Sequence, residues 1–192
     1  MECPGIGDRP MQRDALSADK RTTSRLVLRR PRRSDEAFLI DLFGRHELVA
    51  HRPDPTPDPP EVSVQRLVRD IAHWDECGFG RWAAEAEGKL VGFGGVTVSK
   101  EFDGLNLSYH FHPDSWGNGY ATELVQEALD LAFRSLKADR VIGLVRPANP
   151  ASRRVLERTG FTFEREVELH GAPTMLYTLE QSVYAAAQKD RT

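Results

Sequence analysis

The sequence predicts a single α/β domain of about six or seven strands and about four helices. Three observations carry that expectation. The apolar residues repeat at helical spacing between residues 34 and 77, then switch to strand alternation from Arg81 onward. Glycine and proline fall between the periodic segments and punctuate them. The 192 residues, 40% of them hydrophobic, amount to about 1.3 domains of ordinary size, which is one core with loose ends.

Residues 1–24 are polar, with Pro4, Gly5, Gly7 and Pro10 and no sustained period, and read as a mobile leader. The fold is expected to start at Arg25, where basic residues alternate with Leu26 and Leu28 until Pro31 ends the strand. Ser34 occupies an N-cap position before Asp35 and Glu36, and the stripe Phe38, Leu39, Leu42 and Phe43 makes a first helix. Five prolines from Pro53 to Pro60 forbid regular structure. A second amphipathic helix then runs through Val64, Leu67, Val68, Ile71 and Trp74 and closes at Gly78. Arg81–Ala86, the turn signal Glu87-Gly88 and Leu90–Val98 form a hairpin. Leu105, Leu107, Tyr109 and Phe111 alternate with Asn106, Ser108, His110 and His112, giving a strand with one unusually polar face. Beyond it come a helix over Thr122–Leu136, a strand over Arg140–Val145, a helix over Ala151–Arg158 stopped by Gly160, and two closing strands, Phe161–Leu169 and Thr174–Leu179. The domain spans 25–184, and 185–192 read as a frayed tail.

Twenty-six basic residues against 29 acidic ones give a net charge of −3, which excludes the basic field of a general nucleic-acid binder. No apolar run approaches the roughly 20 residues of a membrane span, and the N-terminus lacks the apolar stretch of a signal peptide. Cys3 and Cys77 make neither a disulfide framework nor a zinc spacing, so a reduced, cytoplasmic protein is expected. His110 and His112, two residues apart with no cysteine or carboxylate to join them, are not expected to bind metal. Trp74 and Trp82 are expected in the core or a cleft wall. Arg52 either grips a substrate or is solvated.

Two segments carry chemistry. In His112–Glu123, HPDSWGNGYATE, Gly117 and Gly119 let backbone N–H groups converge on the start of a helix, a ready anion site suited to a pyrophosphate. No Gly-Lys-Ser or Gly-Lys-Thr follows, so this is no P-loop, and the third glycine of a dinucleotide fingerprint is absent. The second segment is Ala148–Phe161, ANPASRRVLERTGF. Together the two resemble the acetyl-CoA-binding core of the GNAT superfamily of N-acyltransferases, over about Arg25 to Leu179. The pattern HPxxWGxGYAxE with Asn-x-x-Ser before Gly-Phe resembles the branch of ribosomal-protein N-terminal alanine and serine acetyltransferases.

The resemblance implies a GNAT-type acyl-CoA fold, a mixed, mostly antiparallel sheet that splays between the strands ending near His112 and Val145 to admit acetyl-CoA. It implies that the backbone amides of Trp116, Gly117, Asn118, Gly119, Tyr120 and Ala121 hold the pyrophosphate. By the same resemblance the strand around His110, Phe111 and His112 pairs with the pantetheine arm and aims an N–H at the thioester oxygen. Asn149 then orients the pantetheine, and Ser152 hydrogen-bonds the sulfur. The tyrosine that many members place four positions after Ser152 is Leu156 here, and the glutamate that relatives carry on the polar strand face is Asn106. Catalysis needs an amine to lose a proton, an oxyanion to be stabilised and a thiolate to leave. His110, on the face of Asn106, is the candidate base, directly or through water, and Ser152 the candidate leaving-group donor. The acceptor is expected to be a primary amine, of a protein N-terminus or a small molecule. An aminoglycoside or polyamine acetyltransferase and a non-catalytic acyl-CoA-binding regulatory module are the alternatives. Related enzymes make a homodimer the assembly to expect.

Overall fold

The computed structural model describes residues 18–189, so the expected mobile leader lies, up to residue 17, outside the described residues. The elements are β1 (Lys20–Thr22), β2 (Val27–Arg29), α1 (Glu36–Phe43), α2 (His46–Val49), α3 (Pro60–Cys77), β3 (Arg81–Ala86), β4 (Lys89–Val98) and β5 (Leu105–Phe111). They continue with α4 (Tyr120–Asp130), β6 (Arg140–Val145), α5 (Pro150–Arg158), β7 (Thr162–Leu169), β8 (Ala172–Glu180) and α6 (Gln181–Lys189). All the strands of the described residues join one mixed sheet in the order β1-β2-β3-β4-β5-β6-β8-β7, eight of them where six or seven were expected.

The extra strand is β1. The fold starts before Arg25, because Lys20–Thr22 pairs with Val27–Arg29 and Ala18 is buried against Trp82, whose Nε1 donates to the Ala18 carbonyl at 2.7 Å. Three polar residues carry no readable period, and a short charged strand suits a sheet edge, where it discourages pairing with other chains. At the other end, α6 extends helix to Lys189 across the residues expected to fray.

Ser34 does not cap α1. It sits in a 3-10 turn, and the buried Asp35 carboxylate accepts from the Arg32 backbone N–H at 2.9 Å and from both Nη atoms of Arg29 at 2.8 Å. Arg29 also donates to Glu85 at 2.7 Å, and these two carboxylates hold its guanidinium well above the usual arginine range. Removing one partner from a buried pair of this kind costs about 3–5 kcal/mol, because the other charge is left uncompensated. The run Arg29–Arg33, read from sequence as an exposed strand end, therefore begins with a half-buried cation held by two carboxylates.

The sheet has a hydrophobic layer on each face. Leu39, Leu42, Phe43 and Leu67 from α1 and α3 cover Ala83 and Phe93 on one side. Leu124, Val125 and Ala128 of α4 cover Leu105, Leu107 and Phe111 on the other. Trp82 is fully buried in this second layer, so it lines no site. A Cβ on Gly94 would stand 2.7 Å from Tyr109 Cβ and 2.8 Å from a Leu124 methyl, so only glycine there allows α4 to lie this close to β4 and β5.

The parallel β5–β6 ladder is short. Only Leu105–Leu107 pair with Val141–Gly143, whereas β5 stays paired with β4 through Phe111 and β6 with β8 through Val145. Each strand follows its own antiparallel neighbour, and sheet twist carries the two apart beyond Leu107. A wedge opens there.

Candidate active site

The wedge is the mouth of a cleft of about 970 Å³ whose wall includes Ser108 to Phe111, Trp116, Gly117, Gly119 to Thr122, Leu144 to Arg146, Asn149 and Ser152. The His112 N–H donates to the Val91 carbonyl at 2.8 Å, toward β4. Backbone groups alternate between the two edges of a strand, so those of Phe111 and Tyr109 face the cleft. The Phe111 carbonyl is taken by Trp116 Nε1 at 2.7 Å, which leaves the Phe111 N–H, like that of Tyr109, as a donor on this edge. That corrects the expected range. His112 has no free N–H, it is buried outside the cleft wall, and its ring sits between Asp41 at 3.1 Å and the Asp114 N–H at 3.3 Å.

The glycine loop fits a pyrophosphate. Gly117 and Gly119 have φ of 80° and 77°, a region that side chains make costly, and a Cβ on Gly117 would meet nothing within 4 Å. The first N–H groups of α4, from Tyr120 to Thr122, have no acceptor one turn back and join those of Gly117–Gly119 at the positive end of the helix. Two of the expected loop residues act differently. The Trp116 N–H is used by Pro113 O at 3.0 Å, and Asn118, outside the cleft wall, braces the loop by donating from Nδ2 to Ser115 O at 3.0 Å.

Arg25, which sequence reasoning did not place here, clamps this loop from 93 residues away in sequence. Its Nη1 donates to the Asn118 carbonyl at 2.6 Å, its Nε to Glu123 at 2.8 Å, and its guanidinium lies 5.2 Å from the Tyr120 ring centre. Burial pushes the Glu123 carboxyl up, but hydrogen bonds from Thr23, Arg25 and Ser24 outweigh it and bring the pKa down to about 2. Glu123 therefore stays ionised at the start of α4 and ties the β1–β2 turn to the loop.

Across the wedge, Asn149 caps α5, its Oδ1 accepting from the Ser152 N–H at 3.0 Å. Ser152 Oγ lies 2.8 Å from the hydroxyl of Tyr109, which is also 3.2 Å from the Ser152 carbonyl. This pair bridges β5 and α5 where the strands part. Burial pushes the Tyr109 phenol up to about 12 against the lowering effect of Ser152, so it holds its proton at neutral pH. Sequence reasoning read Tyr109 as an apolar-face residue. Its only signal was that it alternates with the polar face of a strand leading into the glycine loop.

His110 faces the opposite side, with its ring 5.1 Å from Phe43. Desolvation, with Arg81, Arg66, Arg52 and His51 adding to it, pushes its pKa down to about 3. The imidazole is neutral across the physiological range and retains no proton taken from an ammonium, so the direct-base role expected of His110 is chemically weak. Asn106 lies outside the cleft wall, and its Oδ1 is buried with no hydrogen-bond partner among the described residues. Arg52 is neither solvated nor free. It is half-buried and paired with Asp58.

The family profile described as an acetyltransferase (GNAT) domain matches residues 25–162. The chain belongs to the GNAT acetyltransferase family. The uncharacterized protein YkkB of Bacillus subtilis is 29% identical to this GNAT chain over 168 residues, 82% of the chain and 94% of YkkB. A ribosomal-protein-S5-alanine acetyltransferase from Vibrio fischeri superposes with a TM-score of 0.68 at 19% identity, over 84% of this chain and 96% of that one. A spermidine N-acetyltransferase from Vibrio cholerae, solved with CoA and spermine, gives 0.68 at 21% identity, over 85% of this chain and 99% of that one. At such identities the likeness speaks for the fold. GNAT enzymes use acetyl-CoA and an amine acceptor.

Proposed function

We propose that the chain transfers an acetyl group from acetyl-CoA directly to a primary amine, the α-amine of a protein N-terminus or of a small molecule. The observation that carries this reading is the Tyr109–Ser152 hydrogen-bonded pair in the β5–β6 wedge, in the wall of the cleft that the glycine loop also lines. Acetyl-CoA supplies the acyl group as a thioester, and the chain's own residues do the rest. The N–H groups of Gly117–Thr122 hold the pyrophosphate. Asn149 keeps its Nδ2 donors for the pantetheine. The Phe111 N–H serves as the donor to the thioester oxygen as negative charge develops there, a role worth about 3 kcal/mol in a preorganised site. As the C–N bond forms and the C–S bond breaks, the Tyr109–Ser152 pair delivers a proton to the departing sulfur. The amine's proton goes to water, which also refills the pair.

With the His110 pKa lowered to about 3 and Asn106 standing where relatives carry a glutamate, the enzyme depends on amines that are already neutral. An α-amine of pKa about 7.7–8.0 is roughly a tenth neutral at pH 7, against a few parts in ten thousand for a lysine at about 10.4. The expected result is that an N-terminally free, lysine-free peptide is acetylated much faster than its N-acetylated, lysine-containing counterpart, as located by mass spectrometry. Its kcat/KM should rise from about pH 6.5 to 8.5 with the ionisation of the amine alone. His110, already neutral above its lowered pKa, adds no limb near 6.5. Preferential ε-acetylation at pH 7 would reveal a stronger base. Tight acetyl-CoA binding with no thiol release for any amine would instead mark a regulatory module.

A further inference from the structure

The end of the cleft around His51 and His110 is cationic. Phe43 packs on His110 with its ring 5.1 Å away and lies 4.8 Å from the Arg66 guanidinium, which puts Arg66 on the His110 side of β5, opposite Tyr109. Asp58 accepts from Arg66 Nη2 at 2.8 Å and from Arg52 Nη1 at 2.7 Å, so one carboxylate answers two guanidinium groups. Arg146, directly after β6, has only neutral partners among the described residues. It donates to the carbonyls of Leu169 at 3.1 Å, Ala172 at 2.9 Å and Pro173 at 3.2 Å, and to Thr174 Oγ1 at 2.6 Å. His51 lies within the field of both Arg52 and Arg146. Burial first, then these two cations, hold its pKa below the usual imidazole range. Three guanidinium groups therefore stand against one carboxylate in the interior of this end. The two other acids of the wall, Glu47 and Asp54, are exposed at the rim, where water screens them.

A half-buried guanidinium with only carbonyl and hydroxyl partners has no counter-ion among the described residues, and a carboxylate is the ligand group that its geometry and charge suit best. We infer that the acceptor is an amine that also carries a carboxylate, which Arg146, with Arg52 and His51 beside it, holds while the amine faces the wedge. The inference rests on the acetyl-transfer reading and narrows it. A polyamine would bring further positive charge toward these arginines. The carboxylate is either the α-carboxylate of an amino acid or an acidic side chain close to a peptide N-terminus, and the test separates the two.

The experiment measures thiol release by the full chain with alanine, alaninamide, Ala-Asp-amide, Ala-Asn-amide and spermidine. Within one of the two matched pairs, with each kcat/KM referred to the neutral fraction of its amine, the carboxylate-bearing amine should exceed its amide by at least about tenfold. Arg146→Gln and Arg52→Gln should each shrink that preference below about threefold, with a smaller effect on the KM for acetyl-CoA. Because Arg146 also braces the β7–β8 turn, Arg146→Lys is the control: it keeps the charge and should restore most of the preference. Amides or spermidine acetylated as well as the carboxylate-bearing amines would overturn the inference, as would a preference unchanged in both glutamine variants. If no amine releases thiol, the transfer reading fails. Calorimetric binding of alanine against alaninamide to the acetyl-CoA-loaded chain then still decides whether this end selects carboxylates.

Discussion

Replacing Gly119 with valine raises the Kd for coenzyme A by at least about 100-fold, roughly 2.7 kcal/mol, as measured by calorimetry. Gly119 has φ of 77° at the N-cap of α4, and a left-handed conformation costs an L residue about 1–2 kcal/mol before branching at Cβ adds to it. A valine that keeps the conformation is strained, and its Cβ meets Arg25 Nη2 at 3.4 Å. A valine that relaxes turns the N–H groups of Gly117–Gly119 away from the phosphates. The fold survives either outcome, because the α4 core contacts of Leu124, Val125 and Ala128 lie outside the loop. Tm should fall by no more than roughly 8 °C. Unchanged affinity would remove the loop from the cosubstrate site.

Tyr109→Phe and Ser152→Ala are each expected to lower kcat by about 100-fold while moving the KM for acetyl-CoA far less, the signature of groups that act on the leaving sulfur. The double variant should lose little more than either single one. The hydroxyls lie 2.8 Å apart and work as a unit, and contacting residues of this kind are not additive. Since the phenol titrates only at about 12, the wild-type profile should show no tyrosine limb below pH 11. Losses confined to KM would make the pair a binding contact, and multiplicative losses would mean that the two hydroxyls act separately.

What the sequence disclosed was whatever a local period or a glycine motif can encode. The helical stripe of α3, the alternation of β5 and the Gly117/Gly119 loop are each set by neighbours in the chain, and each stands where expected. The features that the sequence did not disclose depend on long-range meetings. Tyr109 and Ser152 are 43 residues apart and meet only because β5 and β6 part. Arg25 and Asn118 meet only because the β1–β2 turn folds over the start of α4. The lowered pKa of His110 follows first from its burial and then from the arginines that α3, β3 and the proline-rich loop bring around it, none of them adjacent in sequence. β1 escaped for a different reason: three polar residues at a sheet edge have no period to read.

A crystal structure of the chain with bound coenzyme A tests the central claim most directly. The account predicts the pyrophosphate on the N–H groups of Gly117–Thr122, the pantetheine arm along the free edge of β5, and the sulfur within hydrogen-bonding reach of Ser152 Oγ or the Tyr109 hydroxyl. Coenzyme A seated outside the β5–β6 wedge, or a sulfur in contact with neither hydroxyl, would contradict it.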